Sequence, residues 1–172
     1  MPANRRGDGQ ARLRNDGGPL TDPVNVRVLR ELHADARVSM SALGRAVGLS
    51  APAVTERVQR LVRAGVIAGF RMDVDPAAVG LPVAAFVRVR PGPGQLRKIA
   101  ELARSLDQVV ECYRITGEDC FLMKVHVSAV DELEDVLDRF LLYGQTTSSI
   151  VQSAPVPPRP LPLPATDRDD RP

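Results

Sequence analysis

The spacing of apolar positions changes along the chain, from a helical repeat in the first third to an alternation of two in much of the remainder. Val28, Leu29 and Leu32 form the first stripe, and Thr21 or Asp22 followed by Pro23 supplies the capping oxygen and first-turn proline that start a helix. Ser39 or Ser41 caps a second, short helix whose Leu43, Ala46 and Val47 face inward and which Gly48 stops. Ser50 caps a third, with Pro52 tolerated in its first turn; Val54, Val58, Leu61 and Val62 lie on its buried side, and Gly65 ends it. After it, "VIAGFRMDVD" alternates about Gly69 as a small hairpin would.

The period then shortens. "VAAFVRVR" (83–90) sets Val83, Ala85, Val87 and Val89 against Phe86, Arg88 and Arg90, the pattern of a half-buried strand. "QLRKIAELARSL" places Leu96, Ile99, Ala100, Ala103 and Leu106 on one helical face, and "DELEDVLDRFLL" does the same with Leu133, Val136, Leu137, Phe140 and Leu141. "VVECYRIT" and "CFLMKVHV" read as strands joined by "GED", and "TTSSIVQSAPV" closes with a last strand. The expected fold is α+β: an N-terminal winged helix-turn-helix followed by a ferredoxin-like βαββαβ domain. The divisions are a basic, unstructured tail (1–19), the winged helix-turn-helix (20–73), a proline- and glycine-bearing linker (74–82), the ferredoxin-like domain (83–156) and a proline-rich tail (157–172).

Net charge is only +2, but its distribution is uneven. From Arg45 to Arg71 there are five arginines against the single acid Glu56, whereas Leu81–Ala154 holds eight basic and ten acidic residues. A basic front half and a slightly acidic back half imply two tasks. A capped helix behind a tight Gly-Leu-Ser turn, with Thr55, Glu56, Arg57, Gln59, Arg60 and Arg63 off its buried stripe, suits the major groove of double-stranded DNA. No apolar run is long enough to span a membrane and no signal peptide begins the chain, so a cytoplasmic protein is expected. Cys112 and Cys120 lack metal-ligand spacing, and His33 and His126 are far apart, so neither a metal nor another cofactor is expected.

The stretches "LRELHADARVSMSALGRAVGLSAPAVTERVQRLVRAGVIAGF" and "VVECYRITGEDCFLMKVHV", in this order and at this spacing, resemble the Lrp/AsnC family, the feast/famine regulators. The resemblance implies a transcriptional regulator whose C-terminal domain pairs subunits and senses an amino acid or similar small effector, with a homodimer assembling toward an octamer. It puts DNA contact on Ser50, Ala51, Pro52, Thr55, Glu56, Arg57 and Arg60. It puts the effector at Thr116, Gly117, Glu118 and Asp119, with Thr147 and Ser149 nearby. A glycine turn with backbone donors beside two acids is also, in itself, suitable chemistry for a zwitterion. Cys120 departs from the family pattern, where a second acid is usual. Siroheme decarboxylases are similar in architecture, so an enzyme of that kind is the alternative reading, as is an oligomeric module that does not bind DNA. No Ser-His-Asp, P-loop or zinc pattern supports catalysis.

Overall fold

A computed structural model describes residues 18–165. They group into two compact units, one running to Arg71 and taking in the chain again from Pro158, the other Met72–Pro157. The expected N-terminal tail lies almost wholly outside the described residues, which open on a short 3-10 turn at Pro19–Thr21, whereas the expected proline-rich tail is described as far as residue 165.

The first unit contains α1 (Pro23–Ala34), α2 (Met40–Val47) and α3 (Ala51–Arg63). Each start carries the expected kind of cap: the Asp22 carboxylate accepts from the Val24 N–H (2.8 Å), Ser39 from Ala42 (3.2 Å) and Ser50 from Ala53 (3.4 Å). Val28, Leu29, Leu32, Leu43, Val47, Val54, Val58, Leu61 and Ile67 form the core. Ala46 and Val62, expected inward, are exposed. Gly44 is buried instead. A Cβ there would lie 2.6 Å from the Leu49 carbonyl oxygen, so the turn into α3 can close onto α2 only over a residue without a side chain.

The hairpin expected after α3 is not formed. The Val66 and Ile67 N–H groups donate to the Leu61 carbonyl (3.0 and 3.2 Å), and Ile67 enters the helical core. Those residues finish α3 rather than begin a strand, and Phe70, Met72 and Val74 follow exposed, in backbone without strand pairing. Farther along the chain, Leu163 packs against the helical core and the Arg30 guanidinium donates to the Pro164 carbonyl (2.8 Å).

The second unit contains β1 (Val83–Pro91), α4 (Leu96–Ser105), β2 (Val109–Arg114), β3 (Phe121–Val127), α5 (Val130–Leu141) and β4 (Gly144–Ile150). The strands form one antiparallel sheet in the order β2-β3-β1-β4. Ala85, Val87 and Val89 of β1 join Phe121, Met123, Val125 and Val127 of β3 on one face. Ile99 and Ala103 of α4 and Leu133, Val136 and Phe140 of α5 cover them. Leu96 and Leu141, expected in that layer, are exposed at the helix ends. The other sheet face carries Phe86, Arg88 and Arg90 beside Leu122 and Lys124 of β3. A register shift between Val109 and Glu111 turns Val110 outward, to 49% exposure.

Candidate nucleic-acid interface and ligand turn

α3 sorts its polar residues into two groups. Pro52, Glu56, Gln59, Arg60 and Arg63 recur at helical spacing and are all exposed, with the cap Ser50 at the same end as Pro52. Ala51 and Thr55 are half-buried, and the Thr55 hydroxyl donates to the Ala51 carbonyl at 2.7 Å. Arg57 behaves differently. Its Nη1 donates to the Asp22 carboxylate and to Asn25 Oδ1 (2.8 Å), leaving the side chain only 20% exposed. Asn25 in turn donates from Nδ2 to the Pro19 carbonyl at 2.6 Å. Arg57 therefore fastens α3 to the start of α1 instead of extending with Arg60. Pro19, Asp22, Asn25, Arg57, Arg60, Leu61 and Ala64 border a shallow cavity of about 260 Å³, with this cluster in its wall.

The same cluster sets the Asp22 charge state. Partial burial alone would raise its pKa, but the Arg57 hydrogen bond, the Val24 and Asn25 N–H groups and the Arg57 charge outweigh this and hold it below the usual aspartate value. Asp22 is thus a helix cap and an anchor for α3 at once. Sequence spacing indicated the first role only, since Asp22 and Arg57 are far apart in the chain.

The turn between β2 and β3 is longer than "GED". The strands end at Arg114 and resume at Phe121, and the loop is closed by the Ile115 N–H donating to the Cys120 carbonyl at 2.9 Å. Gly117 (φ 104°) and Cys120 (φ 48°) both take left-handed backbone, the latter an uncommon choice for a residue with a side chain. A bridge between Cys120 and Val89 brings the turn against β1. As a result Asp119 Oδ2 faces Arg88 Nε at 3.7 Å, and Glu118 Oε2 faces Arg90 Nη2 at 3.0 Å.

Pair registry adds β4. Thr147 is opposite Arg88, Gln145 opposite Arg90 and Ser149 opposite Phe86. Thr147 therefore stands beside Arg88 across the strand pair, whereas Ser149 sits one alternation farther along. Thr116, Gly117 and Glu118 are exposed, and Asp119 is half-buried. Arg88, Arg90 and Gln145 adjoin the sequence-based set without having been part of it. The alternation with Phe86 showed that the two arginines share a face, but not that acids from another loop would meet them. Partial desolvation raises the Cys112 thiol pKa, against the opposing charges of Arg104 and Arg114, although the residue lies at the exposed surface of β2.

These two sites lie in segments that match known domain families. A model of the AsnC-type helix-turn-helix domain matches residues 22–62, and one of the Lrp/AsnC ligand binding domain matches residues 84–161. The HTH-type transcriptional regulator LrpC of Bacillus subtilis is 32% identical over 132 residues, which cover 77% of this chain and 92% of that protein. Its solved structure aligns over 77% of this chain and 95% of that one with a TM-score of 0.74. The crystal structure of the leucine response regulatory protein LrpA of Mycobacterium tuberculosis is 34% identical, covers 83% of this chain and 99% of that one, and has a TM-score of 0.72. The fold is shared as well with the regulator NMB0573 of Neisseria meningitidis, solved as a complex with L-Met, at 23% identity, coverage of 83% and 96%, and a TM-score of 0.75. An AsnC-type helix-turn-helix, an Lrp/AsnC ligand binding domain and relatives matched over nearly their whole length place this chain in the Lrp/AsnC family of transcriptional regulators.

Proposed function

We propose that this regulator reads its operator with the start and outer face of α3, as a homo-oligomer, and responds to an amino-acid-like zwitterion at the turn Thr116–Asp119. The exposed row Pro52, Glu56, Gln59, Arg60 and Arg63, with Ser50 and Thr55 at its head, supports the DNA half of this reading. Arg60 and Arg63 supply phosphate neutralisation, and Ser50, Ala51, Pro52, Thr55 and Glu56 are positioned to meet base edges or the backbone beside them. Arg57 acts here by positioning, because its guanidinium is held by Asp22 and Asn25.

One helix-turn-helix covers little DNA, and two-fold dimers set two reading helices about one turn of duplex, roughly 34 Å, apart. Phe86, 42% exposed, and Leu122 on the sheet face away from the helices supply apolar area for such pairing. Light scattering on the full chain at tens of micromolar should show a dimer or a larger species; a monomer overturns this part.

The Arg88–Asp119 pair beside Thr147 supports the effector half. A ligand carboxylate can take the guanidinium while its ammonium takes the carboxylate, with the Thr147 hydroxyl and backbone groups of the turn completing the set. The similar regulators include the leucine response regulatory protein LrpA, so an amino acid is the first ligand class to test. We read the chain as a regulator without catalysis of its own, and the absorbance spectrum of the purified protein tests the haem-type alternative.

The decisive measurement is DNA binding by fluorescence anisotropy, using the region upstream of the protein's own coding sequence. Arg60→Ala should weaken binding and flatten its salt dependence, while Arg104→Ala, on exposed α4 surface, should change neither. Equal behaviour of the two variants removes α3 as the reading element. In parallel, calorimetry with the common amino acids should give binding that Asp119→Ala abolishes.

A further inference from the structure

We infer that the proline-rich segment after β4 is a built-in ligand of the helix-turn-helix unit, a second tether joining the last strand of the sensor sheet to α1. Paired structure in the sheet extends to Val151, whose N–H donates to the Ala84 carbonyl at 2.8 Å. The chain then runs through Pro155, Pro157, Pro158, Pro160, Pro162 and Pro164 and returns to the helical unit at its far end. There Leu163 packs on the core of α1–α3, and the Pro164 carbonyl accepts from Arg30 of α1 at 2.8 Å.

The composition suits docking of this type. Each proline fixes its own φ and steers the residue before it toward extended backbone. Val156, Arg159, Leu161 and Leu163 each precede a proline, so almost every residue of the segment is restricted before it docks. The entropy lost on seating is correspondingly small. An extended proline-rich strand makes no internal hydrogen bonds, and its carbonyls remain available to a donor such as Arg30. The two leucines differ as an anchor and a spacer would: Leu163 is half-buried, Leu161 is 81% exposed.

The segment is a tether rather than a plug. With it seated, Ser50, Pro52, Glu56, Gln59, Arg60 and Arg63 all remain exposed, so it leaves the proposed reading face open. The helix-turn-helix is consequently linked to the sensor sheet twice along the chain, through residues 72–82 ahead of β1 and through residues 152–162 behind β4. A module held at two points samples less space than one held at a single point. The proposal does not depend on which effector the sheet binds.

The test compares two substitutions in the full-length chain by amide hydrogen exchange. Leu163→Asp should raise exchange in α1 roughly five-fold, the factor that corresponds to losing about half of a leucine's burial. Leu161→Asp, two residues away and exposed, should leave α1 unchanged, and neither should affect the sheet. A chain ended after Ser153 should show the same rise in α1 exchange, reversed by adding the peptide 154–166, and should bind operator DNA no more tightly than the full chain. Equal effects of the two substitutions, or α1 exchange unaltered by the truncation, overturn the tether. Tighter DNA binding after truncation would make the segment a plug and overturns it also.

Discussion

The outer face of α3 and the turn before β3 both present charge, but they hold it differently. On α3 the structural duty falls on one arginine, Arg57, which leaves Glu56, Gln59, Arg60 and Arg63 exposed. At the turn each acid already faces a cation, Asp119 with Arg88 and Glu118 with Arg90. DNA bound at α3, as proposed, would displace water and counterions and be salt-sensitive. A zwitterion bound at the turn, as proposed, would have to exchange one partner for another, with little change in net charge, and should be much less so. The contrast shows that a site's formal charge is a poor guide to what it binds unless the existing partners of each group are known.

The largest expected departure comes from removing the charge committed to structure. Arg57→Ala removes the guanidinium donor from Asp22 Oδ2 and Asn25 Oδ1 and should destabilise the helix-turn-helix unit by about 1.5–3 kcal/mol, the range for hydrogen bonds to charged groups. Chemical denaturation should show it, with the sheet unit unaffected; loss of DNA binding without loss of stability would put Arg57 back among the reading residues.

Acid should act on the same cluster. The Asp22 pKa is lower folded than unfolded, so its contribution is complete above the ordinary aspartate value of 3.8 and disappears as pH falls through the lowered one. Asp22→Asn should make the helix-turn-helix less stable at neutral pH and flatten that acid-side decline, read by circular dichroism across a pH series.

A smaller stability effect, and a larger functional one, belongs to the exposed face. Arg60→Ala should change stability by less than about 0.5 kcal/mol and reduce the slope of log affinity against log salt by roughly 0.9 for each phosphate no longer neutralised. Similarly small in stability terms are Arg88→Ala and Asp119→Ala, each worth about 0–1 kcal/mol as half-exposed pairs. Both should nonetheless abolish the response to ligand, and ligand affinity in wild type should vary little between low and high salt. A steep salt dependence at the turn would erase the distinction drawn between the two sites.

How legible these features were from sequence depends on how far apart the participating residues lie. The helices, their caps at Asp22, Ser39 and Ser50, and the alternation of β1 and β3 are local patterns, readable from a few neighbours. The division of labour on α3 was not, because Arg57 and Arg60 look alike until Asp22 and Asn25 are brought beside one of them. Val62 and Leu141 were expected inward on periodicity, but each lies near the end of its helix, where the apolar stripe runs past the core it packs on. The hairpin after α3 failed for a related reason, since its first residues were needed to finish that helix. At the turn, the family resemblance put Thr147 near Asp119, but the place of Arg88 beside Thr147 required the register of β1 against β4.

The order β2-β3-β1-β4 also bears on how the protein is made. β1 leaves the ribosome first among the strands, yet both its neighbours, β3 and β4, come later, β4 only after Gly144. The three helices, by contrast, complete their core with residues no later than Ile67 and depend on contacts close in sequence. Synthesis should therefore yield a folded helical unit while β1 still exposes Phe86 and its buried row, a state open to mispairing until the second half arrives. Pulse-labelled exchange during refolding should show α1–α3 amides protected before those of β1, and β1 together with β4. Leu163 would be placed last of all, so that the helical unit is fastened a second time only after the sheet is complete.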